Sequence, residues 1–204
     1  MKRPTSGFVP PNSFDAHAHL YRSVDATSAW PEGLEDEHGQ VGWQAWQNAL
    51  KQWMGNATPT AGLFFTVPKP ALQRTEANHF VADEVASHPE SRTLMLIHPQ
   101  DDPSSVEAEV EARRFVGFKV YHVYADRQDT FNAECHEFLP DWAWEMADRQ
   151  GLAIMLHMVR NRALCSWAKS LPQRQVPNNA RSFIEFALHA GGGASRPTAG
   201  REIA

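Results

Sequence analysis

A chain of 204 residues, 42% of them hydrophobic, can bury one good core, and no run in it approaches the roughly 20 apolar residues that span a bilayer. Its formal charge of −5, pI near 6.0 and lack of any local Lys/Arg cluster give no footprint for a phosphate backbone, which argues against a nucleic-acid partner. The start, Met1 to Gly7, lacks the apolar stretch of a signal peptide, and Cys135 and Cys165 lack the spacing of a redox pair or zinc finger. The expectation is a cytoplasmic protein with reduced thiols and no membrane partner.

After a Pro-rich lead-in over 1–12, Ser13 to His19 reads as the first strand. Tyr21 to Gln40 is polar and broken by Pro31, Gly33 and Gly39, so it reads as a long loop of the kind that serves a site. Helical spacing resumes from Gly42 to Met54, with Trp43, Trp46 and Trp53 on one stripe. Ala61 to Val67 is the second predicted strand, Ala71 to Ser87 a helix, and Arg92 to Ile97 the third strand, ending in His98-Pro99. Asp102 and Pro103 mark the start of a charged helix reaching Arg114. Phe115 to Tyr121 is the fourth strand, Thr130 to Gln150 a long helix closed by Gly151, and Leu152 to His157 the fifth strand. Phe183 to His189 could be a sixth strand or a short helix, and Gly191 to Gly200 has the composition of a disordered tail.

Nearly continuous apolar strands alternating with helices indicate a parallel α/β sheet. A (β/α)₈ barrel and an open doubly wound sheet both bind ligands at the carboxyl ends of their strands. No Gly-x-Gly-x-x-Gly or Gly-x₄-Gly-Lys-Ser/Thr follows the first strand, which favours the barrel. Too few strands are legible to complete it, so the expectation is an incomplete TIM barrel of five or six strands over 13–164, followed by an atypical segment over 165–204.

Three of the strands deliver a histidine where they end: His17 and His19, His98, and His157. Residues two apart on a strand point the same way, so His17 and His19 share a face, and His157 joins them if its strand runs parallel in the same sheet. Converging neutral imidazoles suit one divalent cation, zinc foremost, with manganese or iron as alternatives. Lys119 at the fourth strand, with His98, His122 and Arg160, could contact a small-molecule substrate. Solvated or structural roles compete for each of these four. Asp15 is too close in sequence to be an obvious partner for the histidines.

The segments Asp15-Ala16-His17-Ala18-His19-Leu20, Val116 to Tyr121 and Ile154 to Met158 together resemble the amidohydrolase superfamily, in its amidohydrolase-related branch of hydrolases and decarboxylases. The resemblance covers about residues 13 to 160. It implies a (β/α)₈ barrel with one divalent metal, His17 and His19 as strand-one ligands, His157 as the strand-five ligand, and a further histidine on strand six, for which His189 is the candidate. It also implies a strand-eight aspartate as general base, and the segment from Gly191 to Ala204 holds no Asp. The function so implied is hydrolysis of an amide, lactone or other ester by metal-activated water. The alternatives are a non-oxidative aromatic-acid decarboxylase on the same site, or an inactive, C-terminally truncated fragment whose open strand edges would call for homo-oligomerisation. A TatD-type deoxyribonuclease also begins with His-x-His, but Lys119 stands where that family has a glutamate.

Overall fold

A computed structural model of the chain describes residues 9–10, 12–25, 39–69 and 71–159, and the backbone of 182–187. Three strands, β1 (Phe14–His19), β4 (Ala61–Phe65) and β5 (Arg92–Thr93), form one parallel sheet in the order β1-β4-β5. Four more, β6 (Met95–Leu96), β7 (Gly117–Tyr121), β8 (Ala153–Val159) and β9 (Ser182–Ala187), form a second parallel sheet in chain order. The short strands β2 (Tyr21–Arg22) and β3 (Gln40–Val41) pair antiparallel beside them. Helices α1 (Trp43–Met54), α2 (Arg74–Val85), α3 (Pro103–Arg113), α4 (Cys135–Phe138) and α5 (Asp141–Gln150) fill the crossovers.

The expected barrel is therefore corrected: among the described residues the strands form two short parallel sheets whose outer strands, β1 and β9, do not pair with each other. One cause is visible at the predicted third strand. Leu94 N–H still donates to the Phe64 carbonyl, but at Leu96 both backbone groups are taken by the buried Asn78 side chain, with Nδ2 donating to the carbonyl and Oδ1 accepting from the N–H, each at 2.9 Å. A side-chain amide from α2 thus replaces the next rung of the β4 ladder and splits the strand into β5 and β6. The long predicted helix over 130–150 is likewise broken, because Pro140 removes a donor and restarts the helix at Asp141. The predicted sixth segment is a strand, β9, parallel to β8.

Alternate residues divide the sheets into two faces. On one, Phe118, Val120, Ile154 and Leu156 pack on Val106 and Val110 of α3 and on Ala143, Met146 and Ala147 of α5. Ala18 and Phe64 pack on Trp46 of α1 and on Val81 and Val85 of α2. On the other face Leu63, Phe65, Leu94 and Met155 form a smaller cluster that bridges both sheets. Trp43 and Trp46 belong to the covered face, whereas Trp53, predicted on their stripe, is 76% exposed.

Local signals explain the helix ends. The Asp102 carboxylate accepts from the Ser105 N–H at 2.8 Å with Pro103 behind it, and Gly151 closes α5 at φ 68°. No helix among the described residues is long and apolar enough to cross a membrane.

Candidate metal half-site

The site begins with a defect in β1. Between Asp15 and Ala18 the strand advances three residues while β4 advances two, from Gly62 to Phe64. This is a bulge, and a bulge reverses which face the following residues occupy. Asp15 consequently turns to the helix-covered side, where Oδ2 accepts from the Trp46 indole N–H at 3.1 Å. Its Oδ1 accepts from the His17 backbone N–H at 3.0 Å, the group the bulge removes from the ladder. His17 and His19 then lie on the opposite face, edge-on to the Phe65 ring, at 4.8 and 4.7 Å between centroids.

The two imidazoles meet through Nε2, 3.1 Å apart. His19 Nδ1 lies 3.2 Å from the Thr66 carbonyl, which can only accept, so in the neutral ring Nδ1 carries the proton and the lone pair is on Nε2. Two ligands about 2.0–2.1 Å from a tetrahedral zinc sit roughly 3.3–3.4 Å apart, so the pair is close to chelating distance without rearrangement. A carbonyl on the far ring nitrogen is also the usual outer partner of a metal-bound histidine. The His17/His19 pair therefore fits a divalent cation.

His157 lies on the same face of the second sheet, opposite Tyr121 in the ladder, with ring centroids 4.8 Å apart. His122, just past β7 and buried, stands 5.6 Å from His157, and its Nδ1 donates to the Thr130 carbonyl at 3.0 Å, which makes Nε2 its acceptor nitrogen. Lys119 is completely buried, with Nζ 4.8 Å from the Phe65 ring and 4.8 Å from the Tyr121 ring. Phe65 thus separates the histidine pair of the first sheet from the lysine of the second. Among the described residues no group of three or more His, Cys, Asp or Glu is gathered for a metal ion.

His98 belongs to a different cluster. Its backbone N–H donates to Asp101, its Nδ1 accepts from the Gln100 N–H at 3.1 Å, and its ring lies 5.2 Å from Tyr124. Arg74 pairs with Asp101 and covers Tyr124. Burial, aided by the Arg74 charge, holds the His98 imidazole below its ordinary value against Asp101 and Asp126. Burial also pushes the Tyr124 phenol up to about 12, outweighing its contacts with the Lys69 backbone. His189 and Arg160 lie outside the described residues. The sequence reading missed Asp15, Phe65 and the Thr66 carbonyl. Asp15 became a partner only through the bulge, and a backbone carbonyl carries no sequence signal.

Fold and site define an α/β protein of short parallel sheets with a histidine pair at the carboxyl end of its first strand. Its fold is similar to that of ATU3138 from Agrobacterium tumefaciens, an apo crystal structure, with a TM-score of 0.53 and 17% identity over 81% of this chain and 52% of that one. The chain thus spans about half the length of that structure, and at this identity the likeness is one of fold alone. No protein-family description and no curated protein matches the sequence.

Proposed function

We propose that the chain is a metal-dependent hydrolase of the amidohydrolase-related type, in which His17 and His19 hold one divalent cation, zinc foremost, with His157 as a further ligand. The observation that carries this reading is the placement of the His19 ring, with Nδ1 3.2 Å from the Thr66 carbonyl and Nε2 3.1 Å from His17 Nε2, which in the neutral ring leaves the lone pair on Nε2 facing His17. When bound, such a cation lowers the pKa of water toward neutrality and polarises a carbonyl, which suits hydrolysis of a small amide, lactone or other ester.

The chain's own residues supply the rest. Asp15 holds the bulged backbone that turns His17 inward, and Phe65 fixes the angle of both rings. His122, with Nδ1–H committed to the Thr130 carbonyl, holds its ring 5.6 Å from that of His157. The apolar cluster of Leu63, Phe65, Leu94 and Met155 below the histidines keeps water from that side.

Elemental analysis of the purified chain tests the reading. The wild type should carry close to one zinc, manganese or iron per chain, His17→Ala and His19→Ala should lose it, and His157→Ala should weaken it. Metal-loaded protein should then hydrolyse members of a panel of amides and lactones. A chain that binds no metal, or binds it equally after both strand-one substitutions, overturns the proposal. Turnover confined to aromatic acids would point to decarboxylation instead.

A further inference from the structure

The opposite end of the sheets carries a second feature. A cavity of about 660 Å³ opens between the C-terminal ends of α2 and α3, against the starts of β5 and β7, and its lining includes Arg92, Arg113, Arg114, His88, Thr93 and Asp83. Arg113 is committed to carboxylates, with Nη1 2.8 Å from Asp83 and Nε 3.4 Å from Glu109. Arg92 and Arg114 have no carboxylate partner among the described residues. Arg92 donates from Nη1 to the carbonyls of Pro89 and Ser91 at 2.6 and 2.7 Å, which anchors its guanidinium at the cavity wall.

Arg114 caps α3 in the left-handed region, at φ 57° and ψ 38°, a position glycine adopts without strain and arginine does not. An arginine there can offset the helix C-terminus. Two helix ends supply only about one negative charge between them, however, and among the lining side chains Arg92, Arg113 and Arg114 face one carboxylate, Asp83, so the lining is left net positive. Guanidinium forks match phosphate geometry, and the volume lies within the range of small-molecule sites.

We propose that this cavity binds the phosphate group of a small molecule between Arg92 and Arg114, independently of the histidine site. The test uses the full chain in the presence of EDTA, with inorganic phosphate as probe and sodium chloride at matched ionic strength as control. Arg114→Gly is the informative variant, because it relieves the backbone while removing the charge. Without phosphate its melting temperature should equal or exceed that of the wild type. Phosphate should raise the wild-type melting temperature by a few degrees beyond chloride. Arg114→Gly and Arg92→Gln should lose that rise and bind at least tenfold more weakly by calorimetry, whereas His17→Ala should keep the wild-type response. Equal responses in wild type and both arginine variants, or no response beyond chloride, overturns the proposal.

Discussion

At the scale of single residues, Asp15 ties the fold to the site. One carboxylate holds the His17 backbone through Oδ1 and the Trp46 indole through Oδ2, so the α1 helix and the histidine pair share an anchor. Asp15→Ala should cost about 1–3 kcal/mol of stability by urea denaturation, since it leaves two part-buried donors unsatisfied. It should also weaken metal binding about 10–100-fold, the usual effect of losing an outer support. Trp46→Phe removes only one of the two bonds and should weaken metal binding less than Asp15→Ala does. Tyr124 offers a second test at this scale. Its phenol titrates near 12 against an ordinary 10, so the unfolded chain releases this proton first and stability falls as pH rises from about 10 to 12. Holding the phenol at about 12 in place of 10 corresponds to about 2–3 kcal/mol. Ultraviolet titration should show a late-ionising phenol that Tyr124→Phe removes, and the same substitution should flatten the alkaline loss of stability.

At the scale of elements, Asn78 decides where one sheet ends and the next begins. Its amide satisfies both backbone groups of Leu96, and all of these atoms are buried. Asn78→Ala should therefore cost about 2–5 kcal/mol in urea denaturation, while Asn78→Asp, which keeps an acceptor for the Leu96 N–H but loses the donor, should also destabilise. A cost below about 1 kcal/mol for the alanine variant would mean that water or a repaired ladder replaces the amide. This element also marks the limit of what the sequence could reveal. The apolar run Arg92 to Ile97 reads as one strand because periodicity sees side chains, whereas the break is made by a hydrogen bond from a residue 18 positions earlier. Elements whose ends are local were legible: Asp102-Pro103 starts α3 and Gly151 ends α5, as predicted. The shared face of His17 and His19 was legible for the same reason, since two-residue spacing is local. Their support was not, because the bulge depends on the register against β4 and Thr66 is distant in sequence. The burial of Lys119 was equally hidden, because the rings that flank its ammonium, Phe65 and Tyr121, come from two different sheets.

For the whole molecule, the two faces of the sheets divide the labour. The helix-covered face holds the largest apolar cluster, whereas the opposite face carries the histidines, Lys119 and the small cluster around Phe65. Phe65 is the residue common to structure and site, being fully buried, packed with Leu94 and Met155 across the sheet junction, and in contact with His17, His19 and Lys119. Leu156, equally buried, belongs to the helix-covered face alone. Truncating either side chain should be costly, about 3–5 kcal/mol for Phe65→Ala and about 2–5 kcal/mol for Leu156→Ala. Their effects on the histidine pair should differ. A ligand that binds only the folded state raises stability by an amount set by its concentration relative to Kd, so the rise in melting temperature with added zinc reads the integrity of the half-site. Leu156→Ala should melt earlier yet retain the wild-type rise with zinc, whereas Phe65→Ala should melt earlier and lose most of it, because the ring that holds both imidazoles is gone. If both variants kept the zinc response, the rings would be held by β1 and the Thr66 carbonyl alone, and the junction between the sheets would have no part in shaping the site.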